Sequence, residues 1–406
     1  MVRVYKNSGI AWAEQIPSDW KVIRGKSLLK LMNRPVRETD EVVTCFRDGE
    51  VILRSERRTE GFTMSDKEIG YQGINKGDIV IHGMDGFAGS MGVSKSTGKG
   101  SPVLIVCNPK DDDDSRYIIY YLRALAMNNV FLALATGIRE RSCDLRWNKI
   151  SELPFIRPKA DEQKRIADFI DTKIEKIDGL IALQEKMIAQ LTAYKQSVIT
   201  EAVTKGLNPE AELVPSGIDW IGDAPKKWNT QRLKYLCTIQ TGNQDTQDSD
   251  PIGIYPFYVR SPIVERSNKY SFEGEGILMA GDGAGAGRVF HHVYGKYAVH
   301  QRVYRLANIK GINSDFLFYF LCSLFCKEMD RGSAQSTVPS VRLPMLQNFC
   351  VCIPSEKEQN EIVKYLNSKC NEIDSLIEIK QQKINFLKDY KKSVIFEAVT
   401  GKISIE

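Results

Sequence analysis

EQKRIADFIDTKIEKIDGLIALQEKMIAQLTAYKQSVITEAVT, residues 162–204, recurs without a gap as EQNEIVKYLNSKCNEIDSLIEIKQQKINFLKDYKKSVIFEAVT, residues 358–400. At one constant offset Glu162 meets Glu358, Gln163 meets Gln359, Asp178 meets Asp374, Tyr194 meets Tyr390, and the endings Glu201, Ala202, Val203, Thr204 and Glu397, Ala398, Val399, Thr400 coincide. So long a period marks a duplicated module rather than a solenoid. Apolar residues at Ile170, Ile177, Leu180, Ile181, Met187, Ile188, Leu191, Tyr194 and Val198 keep the three-four spacing of one helical face, which predicts a long helix in each copy. Pro158 and Pro354 precede the helices, Asp161 and Ser355 are the expected capping residues, and Gly206 and Gly401 stand where each helix should stop.

The expected pairing seam uses Ile170, Ile177, Leu180, Leu191, Tyr194 and Val198 in the first copy and Leu366, Ile373, Leu376, Leu387, Tyr390 and Val394 in the second. Polar residues interrupt it at Lys173/Lys369, Gln184/Lys380 and Lys383, weakening a coiled coil while pinning its register. Each helix is about 65 Å long at 1.5 Å per residue. The loop 207–215 spans at most about 32 Å, so the second helix starts near the far end of the first. Helices paired along their seams are then antiparallel, with a globular unit at each end. The alternative packs each helix on its own domain or on a separate partner; matched seams and one short linker favour the intramolecular pair.

The globular parts are duplicated too. Ser8, Gly9, Ile10, Trp12, Pro17 and Trp20 return as Ser216, Gly217, Ile218, Trp220, Pro225 and Trp228. Tryptophan and proline at fixed spacing dock a segment onto a core, so each string reads as an entry strap. Short alternating segments at 42–46, 78–82 and 103–107, punctuated by glycine, predict mixed domains rich in sheet. Helices are expected at 115–134 and 314–329, each followed by a polar loop, 136–146 and 331–342. The fold class is thus α+β, with two globular α/β domains joined by two long antiparallel helices in a pseudo-two-fold repeat. The expected boundaries are a first domain 1–158, a first helix 159–207, a second domain 208–354 and a second helix 355–406.

Divergent loops on a shared scaffold suggest two versions of one recognition task. The first domain carries Arg54, Arg57, Arg58, Lys95, Lys99, Arg139, Arg141 and Arg146 there, the second Arg260, Arg288, Arg331, Gln335, Ser336 and Arg342. Arginine grips guanine or phosphate bidentately, and glutamine or serine reaches base edges. Each such residue is equally readable as a solvated charge; the hypothesis rests on the groups.

The chain of 406 residues, with net charge +5 and nine cysteines, has a globular composition and no disulfide framework; Cys322, Cys326, Cys350 and Cys352 read as buried thiols. It shows no signal peptide and no membrane-spanning run, so a cytoplasmic location is expected. The glycine run 281–287 imitates a nucleotide-binding fingerprint, but a strand rather than a helix is expected after it, and a tight turn is the better reading. Asp111 to Asp114 read as a solvated loop. Neither an adenine-methyltransferase motif nor a nucleophile constellation is found, so no catalytic residue and no metal site is assigned.

With strap, variable domain and helix each present twice, the chain resembles the DNA-specificity subunit of Type I restriction-modification enzymes. The likeness lies in the two Ser-Gly-Ile-x-Trp straps, the Pro-x-x-x-Glu-Gln entries at 158–163 and 354–359, and the helix ends 194–204 and 390–400. The resemblance implies that each domain is a target-recognition domain reading half of a split sequence in double-stranded DNA, with the helices setting the gap. It implies two methyltransferase (modification) subunits as partners, joined by translocase-endonuclease (restriction) subunits in host defence. S-adenosylmethionine, ATP and Mg would then serve those partners, with no cofactor on this chain. The competing class is a non-catalytic protein-binding scaffold; sequence-specific retention on DNA separates the two.

Overall fold

The computed structural model describes residues 3–57, 69–133, 145–332 and 339–405. The chain forms two compact units, one of residues 1–184 and 382–406, the other of residues 185–381. Each unit therefore draws helical segments from two distant parts of the chain.

In the first unit a four-stranded antiparallel sheet is built from β1 (Leu29–Leu31), β2 (Ile79–His82), β3 (Met91–Val93) and β4 (Leu104–Pro109), in the order β1-β4-β2-β3. Alternation along β2 explains its layering. Ile79 and Ile81 pack with α1 (Ser115–Met127) through Tyr117, Ile118, Tyr121, Leu122 and Leu125, whereas Val80 joins Val43, Val51, Leu104 and Val106 on the opposite face. This second face is covered by the hairpin Val43–Cys45/Val51–Leu53. The helix α2 (Ala160–Lys205) leaves this unit, and its first half belongs to the same core through Ile166 and Ile170.

The second unit repeats the plan. The strands β5 (Thr238–Thr241), β6 (Gly276–Ala280), β7 (Phe290–Val293) and β8 (Val303–Ala307) are ordered β5-β8-β6-β7, again antiparallel throughout. Ile277 and Met279 face α3 (Ser314–Gly332) with Phe316, Phe320 and Phe325, while Leu278 and Val303 pack with Tyr297 and Val299 on the other face. The unit closes with α4 (Glu356–Val399), which continues into the first unit. The expected helix 115–134 breaks at Asn129, whose φ of 58° is left-handed, and resumes as Val130–Ala133.

The sequence signatures have visible mechanical roles, in duplicate. The strap indole of Trp20 donates to Glu162 Oε2 at 2.9 Å, and that of Trp228 to Glu358 Oε2 at 3.1 Å. Gln163 Nε2 donates to Pro158 O at 3.0 Å while its Oε1 accepts from the Asp114 amide at 3.0 Å; Gln359 does the same with Pro354 O and the Asn313 amide at 2.9 and 2.7 Å. The Glu-Gln entry therefore ties helix, strap and the start of the preceding helix together. Gly401, at φ 75°, ends α4 against Pro17 and Trp20, and Gly206, also at φ 75°, ends α2 against Trp228. Asp161 lies inside the first turn of α2 rather than at its cap, since the helix begins one residue earlier.

Within each unit the helical segments run antiparallel. In the first, Asp178 meets Lys391 Nζ at 2.8 Å; in the second, Lys195 Nζ meets Asp374 at 2.6 Å, the same pair in the duplicated register. The seam differs from the expected one at four positions. Ile170, Ile177, Val198, Leu366, Ile373, Leu387 and Val394 are buried and Leu191 half-buried, but Leu180, Tyr194, Leu376 and Tyr390 are exposed. The seam passes one residue later, through Ile181, Lys195, Ile377 and Lys391, none of them exposed. At the tyrosine levels a lysine stem lines the seam while its ammonium reaches outward to an aspartate, and at the leucine levels two adjacent apolar residues compete and the isoleucine is the one turned inward. Ile384, not Lys383, is buried at its level, and Gln184 is buried at 3% exposure.

Asp113 is buried, contrary to a solvated loop: it accepts from Arg157 Nε at 2.8 Å and Gln163 Nε2 at 2.6 Å, and Asp114 caps α1. Cys352 is buried, whereas Cys322, Cys326 and Cys350 are half-buried. Among the described residues no helix is long and apolar enough to cross a membrane.

Candidate nucleic-acid interface

The hairpin on the outer sheet face of the first unit has a tip of Phe46 to Glu50, closed by the Phe46 amide on Glu50 O and the Gly49 amide on Phe46 O, both 2.9 Å. Four cations converge there. Arg47 Nη2 reaches Asp85 Oδ1 at 2.9 Å, in the turn after β2. Arg57 pairs with Asp48 at 2.6 Å and Glu50 at 3.2 Å while its guanidinium lies 4.3 Å from the Phe46 ring centroid. Lys95 reaches Glu50 at 2.9 Å, and Arg123, from α1, donates to the Asp48 carbonyl. The bond from Arg57 holds the Asp48 carboxyl below its ordinary range. Exposed pairs of this kind add little to stability, so their effect is to hold the guanidinium groups in place rather than to stabilise the fold.

The second unit has its counterpart on the hairpin Tyr255–Tyr258/Val264–Ser267. From its tip Arg260 Nη1 reaches Asp282 Oδ1 at 3.0 Å, and Arg302 Nη1 takes Asp282 Oδ2 at 3.0 Å. Asp282 lies in the glycine run, where the chain turns from β6 into β7. No helix starts there, so backbone amides and helix dipole are not assembled for a nucleotide phosphate. The glycines answer a steric demand: a Cβ on Gly285 would stand 2.4 Å from Arg260 O, and one on Gly281 2.8 Å from Arg302 O. Beside this turn is a cleft of about 500 Å³ whose lining includes Thr246, Arg260, Glu265, Asp282 and His300. The Arg302 amide donates to His300 Nδ1 at 3.0 Å, which leaves the proton on Nε2, facing Asp245 at 3.4 Å. His291 Nε2 lies 3.4 Å from Ser261 O, and burial pushes this histidine below its ordinary value.

Of the cations expected from sequence, Arg57 and Lys95 meet on Glu50, and Arg54 lies along the same hairpin, donating to Thr44 Oγ1 at 3.3 Å. Lys99 is in the strand Gly98–Gly100, and Arg146 precedes the helix Trp147–Glu152. Arg288 follows the glycine turn, and Arg342, exposed, precedes the helix Leu343–Asn348. Arg58, Arg139, Arg141, Gln335 and Ser336 lie outside the described residues, as does the side chain of Arg331. Sequence reasoning missed Arg47, Arg123 and Arg302. Arg47 had a local signal, the Arg-Asp-Gly of a hairpin tip between two alternating segments.

Two copies of one sheet-and-helix unit, each carrying an arginine-bearing hairpin and sharing a pair of long helices, define a two-domain recognition protein. A family model described as the Type I restriction modification DNA specificity domain matches residues 17–193 and again 225–389, and the chain belongs to that family. It is 24% identical over 421 residues to the Type I restriction enzyme MjaVIII specificity subunit of Methanocaldococcus jannaschii, covering 97% of this chain and 95% of that protein. It is also 28% identical over 185 residues to the EcoDI specificity subunit of Escherichia coli, a match covering 46% of this chain and 40% of that protein. Among solved structures, a chain from work on complex assembly and conformational transition of the type I R-M system matches with a TM-score of 0.71 at 14% identity, covering 96% of this chain and 99% of that one. The HsdS subunit from Thermoanaerobacter tengcongensis matches with a TM-score of 0.51 at 15% identity, covering 96% and 98%. At these identities the structural matches carry the fold alone.

Proposed function

We propose that this chain is the sequence-reading subunit of a Type I restriction-modification enzyme, each unit reading one half of a bipartite target in double-stranded DNA. The observation that carries this reading is the duplicated hairpin site: one scaffold, two arginine-bearing tips, different side chains around them. Phosphate contacts would supply salt-dependent affinity and base edges the selectivity. The helices α2 and α4 set the gap between the half-sites and dock two methyltransferase subunits. In support of docking, the helical segments expose Leu183, Phe386 and Tyr390 in the first unit and Tyr194, Leu376 and Ile379 in the second, apolar surface that a partner would cover. S-adenosylmethionine chemistry belongs to those partners, and ATP- and Mg-dependent translocation and cleavage to restriction subunits; this chain contributes selection.

Exchanging residues 22–151 for the same region of another specificity subunit is expected to change one half-site and leave the other half and the gap intact. Methylation of a random-sequence DNA library by the assembled complex reads this directly. Loss of both half-sites in a folded, assembled chimera would count against independent readers.

A further inference from the structure

The two hairpins are attached in the same way. In the first unit Val42, at the foot of the hairpin, bridges in parallel to Lys99 in the connection between β3 and β4. In the second, Tyr255–Tyr258 pairs in parallel with Lys296–Val299 in the connection between β7 and β8. The turn after the central strand is likewise equivalent. Gly83 donates to Val103 O and accepts from the Leu145 amide, both at 2.8 Å; Gly281 donates to Arg302 O at 2.9 Å and accepts from the Val341 amide at 2.7 Å. Onto that turn each hairpin tip places one arginine: Arg47 on Asp85, Arg260 on Asp282.

We infer that Arg47 and Arg260 are equivalent guanine-reading residues, one per unit, and that Asp85 and Asp282 are the positioning residues that aim them. The inference rests on the DNA-reading function proposed above and adds the residues that do the reading. An aspartate engaging one nitrogen of a guanidinium restrains its position and leaves further N–H groups to form the two parallel bonds that guanine O6 and N7 accept. The guanidinium groups are open to a ligand: the Arg47 side chain is 64% exposed and that of Arg260 45%. The second tip is itself braced, since Ser261 Oγ accepts from the Ile263 amide at 3.2 Å and donates to Ile263 O at 3.1 Å. Asp282, with a side chain only 16% exposed and both oxygens engaged by arginines, is the more rigid support.

The test is the complex of the full chain with its methyltransferase, acting on a random-sequence DNA library, with every methylated site sequenced. Arg260→Ala and Asp282→Asn are expected to relax the same single position of one half-site, lowering its base preference by about 10- to 100-fold, with the other half and the gap unchanged. Arg47→Ala and Asp85→Asn are expected to do this in the other half. Arg260→Lys, which keeps the charge and a donor but not the planar fork, should relax the position partly, less than alanine does. An even fall in methylation with an intact motif would overturn base reading and leave these arginines as phosphate contacts. Relaxation of both halves by one variant would overturn the assignment as well. Should an alanine variant fail to assemble, the near-isosteric Asp→Asn pair decides. A wild-type complex with no bipartite motif would sink the functional reading itself, an outcome distinct from failure of these four residues.

Discussion

Trp20→Ala is expected to destabilise the first unit by about 3–5 kcal/mol, the range for emptying a buried tryptophan site. Trp20 is 1% exposed and belongs to the same core as Ile166, Ile170 and Ile395. Its ring holds strap, helix start and helix end at once: the indole donates to Glu162, the Arg3 guanidinium lies 5.0 Å from its centroid, and the Gly401 backbone approaches so closely that a Cβ there would be 3.0 Å from the ring. Alanine removes the packing and leaves the Glu162 carboxylate with Arg3 as its remaining strap partner. The second strap supplies an internal comparison. Trp228 is only half-buried and meets Phe316 edge-on at 6.4 Å, so Trp228→Ala should cost clearly less. Calorimetric unfolding of the two variants checks the order; equal losses, or the reverse order, would contradict the role given to the strap.

The second large effect concerns the gap between half-sites. Four residues inserted between Gln184 and Glu185, and four more between Gln381 and Gln382, fall at the boundary between the compact units. They leave Asp178 with Lys391 and Lys195 with Asp374, because each pair lies wholly inside one unit. Four helical residues add about 6 Å, against about 3.4 Å per base-pair step, so the recognised gap should lengthen by about one or two base pairs with both half-site sequences preserved. The insertion must be made in both helices: after Lys195 alone, it would shift Val198 and Ala202 relative to Ile362 and Leu366 within one core. An active double-insertion complex that keeps the original gap would remove the helices as the spacing element.

Much of the architecture was legible because it is written twice. The straps, the Glu-Gln entries and the glycine stops each make contacts that depend on residue type, such as indole to carboxylate or amide to carbonyl, so duplication in sequence reports duplication in structure. The helical seam was legible only in part. Apolar character selected Leu180, Tyr194, Leu376 and Tyr390, whereas geometry places the lysine stems of Lys195 and Lys391 and the side chains of Ile181 and Ile377 there.

The recognition site was the least legible element. Arg57 and Lys95 were expected from loop charge, yet Arg47 and Asp85, or Arg260 and Asp282, are joined only when a hairpin folds over a sheet. The Arg-Asp-Gly at 47–49 marks a hairpin tip but not the partner its arginine will meet, and Arg260 carries no comparable local mark. The glycine run was legible as a turn but not in its purpose, the close approach of Gly285 to Arg260.

This chain is expected to select a two-part DNA sequence for a methyltransferase that does not select it alone. The most direct measurement is to coexpress the chain with its partner methyltransferase and map N6-methyladenine across the host DNA, with and without this chain. A bipartite motif with a fixed gap, present only when the chain is present, is the predicted result. An active methyltransferase complex that gives the same methylation pattern without this chain would contradict it.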